Sequence, residues 1–149
     1  IIGSSDGVTF VDDYAHLPRE ISAVMAAAKT SDDSWGRVVA VFQPNRYNRM
    51  AVMSDEYSMA FVDADVVVIT DIYASGTQKI EGVTGQLVVD AITRAQANSQ
   101  VHWHAKRSSL AEFVNQLLRP GDVCISMGCG DIESLPRELI DVRSGVMRP

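Results

Sequence analysis

Arg37-Val38-Val39-Ala40-Val41-Phe42-Gln43, followed at once by Pro44-Asn45-Arg46-Tyr47-Asn48-Arg49, decides how this chain of 149 residues is read. A strand with one wet face alternates apolar and polar residues. A near-continuous apolar run is what a parallel strand covered on both faces looks like. Val66-Val67-Val68-Ile69 and Val123-Cys124-Ile125 repeat the pattern. Between these runs lie apolar stripes at helical spacing. They are Ile21, Val24, Met25 and Ala28, then Leu87, Val88, Ala91 and Ile92, then Leu110, Phe113, Val114, Leu117 and Leu118. Strand and helix alternate about five times with short connections, which predicts an α/β fold. The expected architecture is a Rossmann-like three-layer sandwich, a mostly parallel sheet with helices on both faces and right-handed crossovers. Asp6-Gly7 between apolar runs predicts a hairpin, so one strand at the start pairs antiparallel.

The element boundaries follow from local chemistry. Pro18 opens a helix to about Thr30, and the stretch 31–36 is a loop. A helix is expected from about Met50 to Val62, with Met53, Tyr57, Ala60 and Phe61 on one side, and another from about Thr84 to Ala97. Val101 to His104 forms a short strand, in which His102 and His104 are structural or exposed. Ser109 with Glu112 reads as a capping box. Pro120-Gly121 ends that helix, and a last helix runs through Leu135, Leu139 and Ile140.

Composition excludes several classes of function. Thirteen basic residues against nineteen acidic ones give a formal charge of −6, and the basic residues are not massed. Nucleic-acid binding needs a basic footprint, so it is disfavoured. No apolar run approaches the ~20 residues of a membrane span, so no membrane insertion is expected. Cys124 and Cys129 offer no zinc spacing and read as thiols in a reducing cytoplasm. The chain starts at Ile1 without an initiator Met, and is read as a piece of a longer protein.

In a parallel sheet, ligands bind beyond the carboxyl ends of the strands. Three polar strand ends should therefore converge: Asp12 to His16, Gln43 to Arg49, and Asp71 to Gly76. Arg46 and Arg49 suit an anionic ligand, because a planar guanidinium forks onto carboxylate or phosphate. The alternative is a pair of solvated arginines flanking a helix start, but arginine there opposes the helix dipole, which favours the ligand reading. His16 is open to three roles: ligand contact, base, or hydrogen-bonded residue at a helix start. Asp71 and Tyr73 sit at a strand end, where an Asp is common. Gly128-Cys129-Gly130-Asp131 lacks the full dinucleotide-binding spacing and reads as a tight strand-to-helix turn. No phosphate-binding P-loop is present in the sequence.

Taken in order, five segments resemble the C-terminal domain of the Mur ligases. They are Asp12-Asp13-Tyr14-Ala15-His16-Leu17-Pro18, Val41-Phe42-Gln43-Pro44-Asn45-Arg46-Tyr47-Asn48-Arg49, Thr70-Asp71-Ile72-Tyr73-Ala74-Ser75-Gly76, Pro120-Gly121-Asp122 and Gly128-Cys129-Gly130-Asp131-Ile132. The resemblance covers nearly the whole chain. The string from Phe42 to Arg49 is similar to that of the alanine-adding branch. The family usually has Gly-His-His where Ala15-His16-Leu17 stands, and His where Asn45 stands.

The resemblance implies that residues 1–149 are the amino-acid-binding domain of a three-domain cytoplasmic enzyme of peptidoglycan precursor synthesis. An N-terminal domain would hold the UDP-sugar, and a central domain the ATP and Mg2+. The implied reaction is amide formation between L-alanine and UDP-N-acetylmuramate through an acyl phosphate. By the same resemblance, His16, Arg46 and Arg49 bind the amino acid, and Asp13 and Tyr14 face the nucleotide. Asp71, Tyr73 and Gly76 lie on the substrate rim. No metal ligand or self-sufficient catalytic residue is expected in this domain, which alone should be inactive. The alternatives are a peptide-recycling ligase of the same family and a stand-alone nucleotide-binding module.

Overall fold

Residues 1–31 and 35–145 are described by a computed structural model. Six strands form one sheet: β1 (Gly3–Ser5), β2 (Val8–Asp13), β3 (Arg37–Phe42), β4 (Val66–Ile69), β5 (Val101–Trp103) and β6 (Asp122–Met127). Their order is β1-β2-β6-β3-β4-β5. Among the described residues only the β1–β2 pair is antiparallel, and Asp6 and Gly7 turn it with φ of 50° and 80°. Two successive positive φ values make the tight hairpin turn whose twist matches its strands. The predicted sandwich, with one antiparallel strand, is the fold observed.

The helices are α1 (Pro18–Ser31), α2 (Tyr47–Met53), α3 (Gln86–Ala95), α4 (Leu110–Leu117) and α5 (Leu135–Ser144). The steps β2 to β3, β3 to β4 and β4 to β5 run one way across the sheet, and α1, α2 and α3 cover one face. The return from β5 to β6 puts α4 on the other face, beside α5, as right-handed crossovers require. Alternate strand residues feed the two cores. Val38, Ala40, Phe42, Val67, Ile69, Val123, Ile125 and Met127 meet Ile21, Met25, Met50, Tyr57, Val88 and Ile92. Val8, Phe10, Val39, Val41, Val66, Val68 and Cys124 meet Leu110, Val114, Leu135 and Leu139.

Three expectations need correction. The helix expected from Met50 to Val62 starts at Tyr47 and ends at Met53, where a 3-10 turn (Ser54–Tyr57) takes over. Tyr57, Ala60 and Phe61 are still buried, because irregular backbone delivers them to the core. The Ser109–Glu112 capping box does not form. A 3-10 turn (Arg107–Ser109) precedes α4, and the Ser109 hydroxyl bonds His104 Nε2 at 2.8 Å instead. His104 in turn stacks on Phe113, with ring centroids 4.5 Å apart, so it is structural. Of the loop expected at 31–36, Ser31 completes α1, and 32–34 lie outside the described residues.

Candidate functional site

Register decides which strand ends meet. Met127 pairs with both Asp13 and Phe42, and Phe42 pairs with Ile69, so β2, β6, β3 and β4 end level. The polar segments after them share one rim.

The segment after β2 is held by its own side chains. Asp13 Oδ1 accepts the Ala15 N–H at 2.9 Å, which turns the chain sharply out of the strand. Tyr14 is left 70% exposed, its ring edge-on to that of His16 at 5.9 Å. Glu20 accepts the N–H groups of Leu17 and His16 at 3.0 and 3.3 Å, capping α1 from within its first turn. His16 Nδ1 lies 3.1 Å from the Tyr14 carbonyl oxygen. A carbonyl only accepts, so Nδ1 carries the proton of that contact and Nε2 points away from it. The Tyr57 hydroxyl donates to the His16 carbonyl at 2.7 Å, tying this segment to the turn behind α2.

The segment after β3 is built around two buried amides. Gln43, 3% exposed, donates from Nε2 to Asp131 Oδ1 at 2.7 Å and accepts the Ile132 N–H at 3.3 Å. Asn45, 4% exposed, accepts from Arg49 Nη1 at 2.9 Å. Arg46 caps α2 with a φ of 69°, a conformation few non-glycine residues adopt. Its N–H donates to the Tyr73 carbonyl at 2.9 Å, and its carbonyl accepts from Met50 at 3.1 Å. The surrounding structure thus holds a strained backbone in place, a pattern concentrated at functional sites. The sequence places Arg46 and Arg49 together on a loop, whereas Arg49 lies inside the first turn of α2 and Arg46 caps it. Neither guanidinium has a carboxylate partner within salt-bridge distance among the described residues.

Arg49 and His16 belong to one neighbourhood. The Glu20 carboxyl is held below its ordinary range by the Leu17 and His16 amides first. The His16 and Arg49 charges add to this. Burial pushes the Tyr57 phenol up to about 12, against the pull of Arg49. Arg49 therefore acts on both groups that bond the His16 backbone.

The segment after β4 is mostly scaffold. Asp71 Oδ1 accepts the N–H groups of Ile72 (2.8 Å) and Gly85 (3.1 Å), fixing the approach to α3. Ser75 and Gly76, with φ of 52° and 81°, make a tight turn. It lets the Thr77 hydroxyl accept the Tyr47 N–H at 3.0 Å, at the start of α2. Tyr73 bridges Asn45 in parallel fashion and lies over Gly130. A Cβ at Gly130 would come within 2.5 Å of the Tyr73 ring.

A fourth rim segment, Gly128 to Asp131, reads locally as a tight turn. It supplies Asp131 to Gln43 and to Arg107, which also bonds Glu138 at 2.7 Å. The signal that could have found it was the carboxylate beside two glycines. Asp12, the other carboxylate of its pair, has a buried Oδ1 without a partner among the described residues. Burial raises its pKa, with help from Glu133 and Asp13.

Among the described residues, no group of three or more His, Cys, Asp or Glu side chains could hold a metal ion. Nor is any helix long and apolar enough to cross a membrane. What the rim carries is two arginines, an imidazole and an exposed phenol.

Residues 1–130 match the family described as Mur ligase, glutamate ligase domain. The chain is 45% identical over 140 residues to a UDP-N-acetylmuramate–L-alanine ligase of Gloeothece citriformis, covering 93% of this chain and 28% of that protein. A protein of the same name from Gloeobacter violaceus is 45% identical over 139 residues, again 93% of this chain and 29% of that one. The chain thus spans less than a third of the length of these curated relatives. Its fold is similar to that of a solved UDP-N-acetylmuramate-alanine ligase from Thermotoga maritima. That match has a TM-score of 0.73 at 23% identity, over 95% of this chain and 28% of the other.

Proposed function

From the premise that the chain belongs to the Mur ligase family, as its glutamate ligase domain, we propose that it delivers L-alanine in a UDP-N-acetylmuramate–L-alanine ligase. The whole enzyme would act in the cytoplasm, with N-terminal and central domains supplying the UDP-sugar and ATP sites. ATP would phosphorylate the lactyl carboxylate of UDP-N-acetylmuramate, and the alanine amine would attack the acyl phosphate with loss of phosphate. Magnesium would accompany ATP, and nothing in the described rim fits it as a metal site.

The observation that supports the reading is that the segments bearing Arg46, Arg49 and His16 follow strands that end level with one another. Alanine has almost no side chain, so its affinity must come from its charged ends. Arg46 and Arg49 would take the carboxylate, with geometry that suits a fork onto two oxygens. His16, with Nδ1 committed to the Tyr14 carbonyl, would present Nε2 to the ammonium and accept a proton there. Tyr14, the most exposed aromatic side chain of the rim, would lie against the nucleotide beside Asp13. An Asp there suits the ribose hydroxyls better than the phosphates, since like charges repel. Bringing amine, acyl phosphate and nucleotide together then falls to closure of this domain on the others.

The test is phosphate release by the full-length protein that contains this chain. Release is expected only with ATP, UDP-N-acetylmuramate and L-alanine all present. Release that ignores L-alanine, or that a peptide supports better, would overturn the assignment.

A further inference from the structure

Asn45 is buried at 4% exposure directly beneath the arginine-bearing turn, and both ends of its amide are committed. Its Oδ1 accepts from Arg49 Nη1 at 2.9 Å, and its Nδ2 faces Ser75 Oγ at 3.5 Å. Its backbone is bridged to Tyr73, so the amide sits on a fixed frame. An amide oxygen accepts a hydrogen bond but carries no charge. It can aim a guanidinium without neutralising it.

The rest of the molecule shows the alternative. Arg37 is met by both oxygens of Asp122 at 2.9 and 2.8 Å. Arg107 is met by Asp131 and Glu138. These guanidiniums have spent their charge on carboxylates of the chain itself. A carboxylate at position 45 would do the same to Arg49, and would compete with any ligand carboxylate for the same N–H groups.

We propose that Asn45 is a positioning residue for amino-acid specificity: it fixes the direction of Arg49 toward the substrate carboxylate while leaving its charge unspent. The proposal rests on the reading of Arg46 and Arg49 as the amino-acid clamp.

The full-length ligase tests both separately. Asn45→Asp keeps an acceptor in place but adds a charge. It should raise the KM for L-alanine about tenfold, with the KM for ATP unchanged. The ratio of the inhibition constant of L-alaninamide to the KM of L-alanine should fall by a similar factor, because the carboxylate no longer meets a full positive charge. Asn45→Ala removes the acceptor and keeps the charge. It should raise the alanine KM only about threefold, through loss of aim. Equal effects of Asp and Ala on the alanine KM, or none, would overturn the proposal as a merely structural role. Arg49→Ala is the control for the reading beneath it. If it leaves the alanine KM unchanged, the clamp has failed. If it raises that KM while Asn45→Asp does not, only the role of Asn45 has failed. Should Asn45→Asp not fold, Asn45→Ala decides alone: a raised alanine KM with the ATP KM and the melting temperature unchanged supports the proposal, and an unchanged alanine KM or equal rises for both substrates removes it.

Discussion

The two ends of β3 put arginine to opposite uses. At its start, Arg37 is gripped by Asp122, a carboxylate only 2% exposed, and by the Leu117 carbonyl at 2.9 Å. Just beyond its end, Arg46 and Arg49 have no carboxylate within salt-bridge distance among the described residues, and Arg49 rests on a neutral amide. The same side chain is ion-paired within the fold at one end and left without an ion pair at the other. What differs is the partner. A buried carboxylate needs its cation, whereas a neutral amide leaves the cation's charge for a ligand.

The sharpest way to break that contrast is Arg37→Ala, which strands Asp122 without a partner. Loss of one member of a buried pair costs about 3–5 kcal/mol. Because Arg37 is partly exposed, the low end is expected in urea unfolding, with substrate KM values of the surviving enzyme unchanged. An altered alanine KM would mean the two ends are not independent. Arg46→Ala should do the reverse. Truncating a hydrogen-bonded charge at a buried ligand contact costs about 2–5 kcal/mol, so the alanine KM should rise at least 30-fold. The ATP KM and the melting temperature should stay in place, and equal losses for both substrates would sink the clamp.

A third change sharpens the rim itself. Gly130→Ala drives a methyl into the Tyr73 ring and within 2.7 Å of Gln43 Oε1. Overpacking of this kind costs about 1–3 kcal/mol, read as a lower melting temperature together with a higher alanine KM. A neutral result would show that the turn carrying Tyr73 moves freely.

The smallest effect concerns Asp12. Its folded-state pKa is raised, so the folded protein pays to ionise it at neutral pH and is relieved as pH falls toward that pKa. Asp12→Asn should therefore melt slightly higher than the parent at pH 7.5, with the gain shrinking as the solution is acidified through the carboxylate range. A gain that grows on acidification would contradict the stated sign. The isolated domain, tested beside these variants, is expected to show no ATP turnover and no ligation in a phosphate-release assay.

Much of the scaffold could be read from the chain because its causes are local. Val38 to Phe42 and Val66 to Ile69 are apolar on both faces, so burial on both faces followed, and helices had to cover them. Helix ends were less legible. The break after Met53 has no Gly or Pro to announce it, and Tyr57 reaches the core from a 3-10 turn that periodicity cannot represent. The Ser109–Glu112 pair had the right spacing for a capping box, but a hydroxyl chooses among partners. His104, brought alongside by β5, took the Ser109 bond.

By itself, the order of residues determined that a parallel sheet would form and that polar segments would follow its strands. Periodicity and turn chemistry act over a few residues, and they suffice for that. Only the tertiary structure decided which charges are spent and which are free. Arg37 finds Asp122 across 85 positions, Gln43 finds Asp131 across 88, and Tyr57 finds the His16 carbonyl across 41. Such pairings depend on register and on which crossover passes where, and a hydrogen bond is won by whichever group packing brings within reach.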